Sequence, residues 1–215
     1  MNSPLRRVDA RLPLALLQAL QQQDTPPELH PHEYSSSFPQ HRLGLSGVIE
    51  GQVREFRRLA RQRRRVEEDQ VEALLELISR RRDSAAVFTA AGRALARLHF
   101  SGLAGGLRRF TRRLPGPLRR RAAVRTLRTA NGALLVASGL TVKRAPLEVR
   151  ATGALTARIS GAGAACQLYA SLATRLLEMS GAGPFTVTHP ECQGRGDEHC
   201  VWRAIPDGGP EAGAS

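Results

Sequence analysis

Several things are scarce in this chain of 215 residues, and each scarcity removes an option. Aromatic residues make up 4 % of it, with a single Trp, so any core must be built from Leu, Val, Ala and Ile. No apolar run approaches the ~18 residues that a membrane-spanning helix needs. The opening residues hold no clean signal-peptide core, because Arg11 and Pro13 interrupt early and Gln18 and Gln21 to Gln23 follow. The expectation is a cytoplasmic protein. Lysine is almost missing: Lys143 stands alone among 32 basic residues. The usual catalytic signatures are missing too. There is no P-loop, no H-E-x-x-H, no dinucleotide glycine pattern after a strand and no nucleophile elbow. Ser138-Gly139 and Ser160-Gly161 have no histidine and acid around them. An enzyme is therefore not the favoured reading.

Cysteine is scarce as well, but its placement is informative. The three cysteines, 166, 192 and 200, all fall in the last quarter. In a reducing compartment an odd count suits metal ligation better than a disulfide framework, with buried free thiols as the plain alternative. Cys166 opens the helix-like run Cys-Gln-Leu-Tyr-Ala-Ser-Leu. Cys192 and Cys200 flank a glycine-containing turn in His189-Pro-Glu-Cys-Gln-Gly-Arg-Gly-Asp-Glu-His-Cys-Val-Trp202. A tetrahedral zinc needs four such donors. His189, Glu191 and His199 are candidates for the fourth. Glu191 and His199 each adjoin a cysteine, and neighbours on a strand point to opposite faces. His189 lies three residues before Cys192, with Pro190 to bend the chain back, so it is favoured, and Glu191 follows. Arg195-Gly-Asp197 resembles an adhesion triplet and reads here as a turn.

The rest of the chain divides by pattern. Residues 12–23 form a helix with Leu14, Leu17 and Leu20 on one stripe, and a proline- and serine-rich linker follows. His30, His32 and His41 lie in that linker and read as solvated. From 46 to 129 the pattern is helical: Ser46 caps a helix carrying Ile49, Val53, Phe56 and Ala60. Leu74, Leu75 and Ile78 mark a second helix. Asp83 or Ser84 starts a third, with Val87, Phe88, Ala91, Leu95 and Leu98 facing inward. His99 reads as a core or surface histidine. Gly102, Gly105, Gly106 and Pro115-Gly116-Pro117 break the run. Residues 133–137 and 147–152 read as strands, 164–180 as a helix stopped by Gly181, and Phe185–Thr188 and Cys200–Ile205 as strands around a hairpin in which Gly194 and Gly196 take positive φ. The domain division that follows is 1–42 for the N-terminal helix and linker, 43–205 for the main domain, and 206–215 for a disordered tail.

Glu191-Cys-Gln-Gly-Arg-Gly-Asp-Glu-His-Cys-Val-Trp202, with a cysteine-bearing helix before it, resembles the ending of the 4-vinyl reductase domain family. That family includes a protein linked to bacteriochlorophyll synthesis, archaeal hydrocarbon-binding proteins and the sensor domains of phenol- and xylene-responsive activators. Its fold is similar to that of TRAPP-complex subunits and of haem-based nitric-oxide sensors. The resemblance covers about residues 46–205 and is specific only in the C-terminal third. It implies an α+β fold, with helices packed on a small antiparallel sheet around an apolar pocket, and a structural zinc beside that pocket. In the phenol sensors the zinc is held by three cysteines and an acid three residues before the second cysteine of the motif. Carried over, the ligands are Cys166, His189, Cys192 and Cys200, with histidine in the place of the acid.

The expected function is a sensor or carrier domain for an apolar or aromatic small molecule or lipid. Leu95, Leu98, Phe100, Leu135 and Tyr169 are the expected pocket lining. The phenol sensors recognise their ligand with a His and a Trp, and neither occurs between Phe100 and Thr188, so a hydrocarbon or lipid fits better than phenol. The expected partners are a second copy of the chain and a regulatory protein. A scaffolding protein, by analogy with the TRAPP subunits, and a tetrapyrrole vinyl reductase are the alternatives; the reductase lacks a nucleotide fingerprint. The net charge of +13 admits nucleic acid. It is not favoured, since only Phe56 and Phe110 interleave with the arginine runs, too few to form a platform for stacking on bases.

Overall fold

The computed structural model describes residues 7–24, 46–101, 115–144, 146–159, 162–181 and 183–207. The linker histidines at 30, 32 and 41, the glycines at 102, 105 and 106, and the tail from 208 lie outside them.

Strand β1 (Arg7–Asp9) leads into helix α1 (Arg11–Asp24). Helix α2 (Ser46–Arg61) ends in a turn at Arg63, whose φ is 54°, and continues into β2 (Arg65–Glu67), which pairs antiparallel with β1. Helices α3 (Glu68–Ser79), α4 (Ser84–Ser101) and α5 (Gly116–Leu134) follow. A hairpin of β3 (Gly139–Arg144) and β4 (Leu147–Thr152) comes next. One turn, α6 (Ala162–Ala165), precedes helix α7 (Gln167–Met179). Strands β5 (Phe185–Glu191) and β6 (Cys200–Pro206) close the fold. The main sheet is antiparallel in the order β3-β4-β6-β5, so the C-terminal strand lies inside it.

This is an α+β arrangement, and its layers follow from simple periodicity. In α7, Leu168, Leu172 and Leu176 recur at helical spacing and are buried. In α4, Val87, Phe88, Ala91 and Leu95 do the same. These two helices pack more extensively than any other pair of described elements. Gly92 makes this possible. A Cβ there would lie 2.0 Å from Ser171 Oγ and 2.2 Å from the carbonyl oxygen of Leu168. Backbone therefore meets backbone at this crossing.

Helix α1 is buried nearly all round, from Leu12 to Leu20, and shares the main core with the residues after 46. Leu14 and Leu17 form a smaller cluster with Val53 of α2. Two polar ties hold α1. Arg81 Nη2 donates to Asp24 at 2.6 Å, and Arg81 Nε donates to Asp83 at 2.8 Å. Arg11 Nη1 lies 3.3 Å from His99 Nδ1. A guanidinium can only donate, so the imidazole accepts and is neutral. Burial first, and the Arg11 charge second, push the His99 pKa down. His99 is a core histidine.

Within the sheet, Glu148 of β4 is 3 % exposed. Arg150 lies 2.6 Å from its carboxylate, Arg203 on β6 at 3.2 Å and Lys143 on β3 at 3.8 Å. The hydrogen bond from Arg150 is the main cause that holds the Glu148 carboxyl below the usual range. One buried carboxylate thus links three strands.

Two local expectations need correction. Residues 133–137 are not a strand: α5 runs to Leu134, and the Leu135 amide still donates to Asn131 at 2.9 Å. Leu127, Ala130 and Leu134 hold the helical period, and a five-residue apolar run carries no period of its own. In the last hairpin Gly196 has φ 99°, but Gly194 is not among the positive-φ glycines.

Candidate metal centre

Each donor of the candidate site is delivered by a different local device. Cys166 precedes α7, and its carbonyl accepts from the amides of Tyr169 and Ala170, so the thiol sits at the helix start. His189 lies on β5, where the pairing with β6 slips between Thr188 and Glu191. That irregularity overrides strict alternation and lets His189 and Cys192 turn to one centre. Cys200 begins β6, opposite Ala151 of β4.

The four donor atoms of Cys166, His189, Cys192 and Cys200 lie within 4.8 Å of one another. The sulfurs of Cys166 and Cys192 are 3.8 Å apart. Zinc–sulfur bonds of about 2.3 Å at a tetrahedral angle set sulfurs about 3.8 Å apart, so this edge already has the size that zinc requires. The three cysteines are free and fully buried. His189 Nε2 is buried and has no hydrogen-bond partner among the described residues. Three thiols and an imidazole are the soft and borderline donors that zinc prefers. The residues present fit a zinc ion.

Charge distribution points the same way. The Cys200 pKa is pushed down, first by a hydrogen bond from Cys166 and then with help from His189. The Cys166 thiol is pushed up by the same bond and by burial. Zinc would displace the thiol protons and hold all three cysteines as thiolates. Three thiolates and one dication leave a net negative cluster at the start of α7, where the helix dipole favours it.

A second set of residues aims these donors. Trp202 is two residues from Cys200 on β6, on the same face. Its Nε1 donates to the Cys166 carbonyl at 3.2 Å. Its ring stacks on His189 with centroids 5.0 Å apart and planes at 16°, and meets Tyr169 edge-on at 5.6 Å. Thr156 Oγ1 lies 3.4 Å from Cys166 Sγ. Gln193 Oε1 accepts from the Gly153 amide at 2.7 Å and ties the hairpin to the end of β4. Arg195 and Asp197 are braces of the turn. Arg195 Nη2 donates to the carbonyls of His189 at 3.1 Å and Pro190 at 3.0 Å. Asp197 Oδ2 accepts from the Cys192 amide at 2.6 Å. The turn reading of the triplet is what its contacts show.

Asp197→Ala removes that acceptor and is expected to weaken zinc binding by about 10- to 100-fold, as loss of an outer-shell partner commonly does. Competition with a colorimetric zinc chelator measures it.

Sequence reasoning supplied the four donors and missed their supports. The one signal available was the i, i+2 relation of Cys200 and Trp202 on a strand. Glu191 and His199 lie outside the donor group. His199 sits 3.7 Å from Glu198 instead.

The five residues expected to line a pocket all belong to the main core or pack against it. Leu95, Leu135 and Tyr169 are buried in the main core, and the Tyr169 hydroxyl donates to the Leu134 carbonyl at 3.4 Å. Leu98 and Phe100 are half-buried near the end of α4. No helix among the described residues is long and apolar enough to cross a membrane. Comparison with known proteins finds no matching family model, no matching curated protein and no matching solved structure.

Proposed function

We propose that this chain is a non-catalytic binding domain of the 4-vinyl reductase type, which senses or carries an apolar or aromatic ligand and is held in shape by structural zinc. The convergence of Cys166, His189, Cys192 and Cys200 supports this reading, because these are the positions that the resemblance marks as ligands. Four protein donors fill a tetrahedral ion and leave no place for a reactive water, so the metal braces the fold and does no chemistry. It joins the start of α7 to the closing hairpin. The TRAPP-like fold and pairing with a second copy belong to the same proposal.

Within this reading the ligand approaches the end of α4, where Leu98 and Phe100 keep some exposed surface. The commitment of Leu95, Leu135 and Tyr169 to core packing favours a second reading, an interaction or scaffolding protein with the same zinc brace. Solvent extraction of the purified protein, followed by mass spectrometry of the extract, separates the two. A single apolar or aromatic compound at near one per chain supports the sensor or carrier. Its absence, with no thermal stabilisation by added aromatic or long-chain compounds, leaves the scaffold.

The histidine in place of an acid gives a further check. His189→Asp is expected to retain stoichiometric zinc, and His189→Ala to weaken it by more than about 100-fold, as loss of a ligand should exceed loss of an outer-shell partner. Equal zinc affinity in the wild type and His189→Ala removes His189 from the set.

A further inference from the structure

The positive charge of this chain is segregated. Of its 32 lysine and arginine residues, 13 lie between Ser84 and Leu147, where no Asp or Glu occurs. The remaining 19 are matched by the 19 acidic residues of the rest of the chain, so this stretch carries the whole net charge of +13. A general arginine bias does not separate the signs in this way.

The structure shows the same contrast. Outside the stretch, Arg11, Arg58, Arg81, Arg150 and Arg175 each hold a carboxylate at 2.6 to 2.7 Å, while Arg54, Arg57 and Arg61 of α2 hold none among the described residues but share their helix with Glu50 and Glu55; inside it Lys143 approaches Glu148. On α5, Arg121, Arg125 and Arg128 are exposed and have no carboxylate partner among the described residues. They follow one another at four and three residues, so they stand about 6 Å and about 4.5 Å apart along one helical face. The opposite face, with Ala123, Leu127 and Ala130, is buried in the core and holds the helix in place. Thr129 and Gly132 flank the stripe, both exposed, and a Cβ on Gly132 would meet nothing within 4 Å.

We infer that the exposed face of α5 binds the phosphate backbone of duplex nucleic acid, without reading its sequence. A duplex presents a negative charge about every 1.7 Å of its axis, and arginine pairs with phosphate through two parallel hydrogen bonds. Three unneutralised guanidiniums on a rigid helix suit such a dense, regular anion. A protein partner would want an apolar or aromatic anchor at the centre of its contact. A membrane would want an apolar face to insert, and the apolar face of α5 is occupied by the core. Of the exposed large apolar residues among those described, Val48, Leu77 and Leu118, only Leu118 lies on this helix. No aromatic residue occurs on α5, which counts against stacking on single strands by this face and leaves duplex backbone binding untouched.

The test uses the full chain and a fluorescein-labelled 20-base-pair DNA duplex of arbitrary sequence, read by anisotropy over a series of salt concentrations. The expected result is binding at low salt that weakens linearly in log–log form. Arg121→Gln/Arg125→Gln/Arg128→Gln should lower affinity at least about 10-fold and reduce the salt slope by about 2 to 3, near 0.9 per lost phosphate contact. The corresponding triple lysine variant should keep most of the binding. Arg54→Gln/Arg57→Gln/Arg61→Gln on α2 is the charge-matched control and should lose clearly less. Circular dichroism checks that each variant is folded. No binding of duplex at low salt overturns the inference, and so do equal losses in the α5 and α2 variants. Sedimentation with phosphatidylserine vesicles in place of duplex binding, abolished by the α5 variant, would assign the face to a membrane and also overturn it.

Discussion

Stripping the metal from the folded chain is expected to lower its thermal midpoint by on the order of 10 °C. A ligand that binds only the native state adds about 4 kcal/mol when present at a thousand times its dissociation constant. For a domain of this size each kcal/mol corresponds to about 2 to 4 °C. The effect is large because the site joins the start of α7 to both strands of the closing hairpin. Cys166 fixes the start of α7, Cys200 the start of β6, and His189 and Cys192 the end of β5 and its turn. Without an ion, three cysteines and an imidazole remain buried together with no metal to bind them, and burial of polar groups without partners is unfavourable. The check is calorimetry or circular dichroism under reducing conditions, with and without a strong chelator, followed by zinc add-back. Cys192→Ser should show the low midpoint in both conditions. A chelator-insensitive midpoint in a zinc-loaded sample would mean that the ion braces nothing.

Gly92→Ala is expected to destabilise the protein by about 3 kcal/mol or more, at the upper end of what overpacking costs. The contact is not with a side chain that can swing away. The added Cβ would meet the Leu168 carbonyl oxygen at 2.2 Å and the Leu172 amide nitrogen at 2.8 Å, both backbone atoms of α7. Helices α4 and α7 must separate, and both are central to the main core. Cys166 opens α7, so a shift of this helix also disturbs the metal. The variant should therefore show a lower denaturant midpoint and weaker zinc retention together. Gly51→Ala on the exposed helix α2, where a Cβ meets nothing within 4 Å, should be neutral or slightly stabilising and serves as its control.

Much of this architecture was legible in the residues. The helices at 12–23, 84–101 and 167–179 announce themselves through leucines and valines at helical spacing, and the strands at 147–152 and 200–206 through alternation. The short strands β1 and β2 were not legible, because three residues hold no period. Nor was β3, whose Gly-Leu-Thr-Val-Lys-Arg is an outer strand with only half-buried apolar residues. The role of α1 was hidden by the proline-rich run after it; its apolar residues on every side were the sign that it is wrapped by other helices.

For the site, the three cysteines stand out because the chain has no others, and His189 through its distance from Cys192. The supports are silent in the sequence for a physical reason. Trp202 acts through a backbone carbonyl 36 residues away, and Gln193 through an amide 40 residues away, so their roles exist only once the chain is folded. A pocket lining is hard to read from sequence for a related cause. Leu95, Leu135 and Tyr169 have the composition of a cavity wall and of a core alike, and composition does not distinguish the two.

Native mass spectrometry of the freshly purified chain under reducing conditions tests the zinc brace most directly. The expected spectrum shows one zinc ion per chain, retained in His189→Asp and lost in Cys166→Ser. A bare-chain mass that persists after incubation with zinc, or a zinc content unchanged by Cys166→Ser, would contradict it.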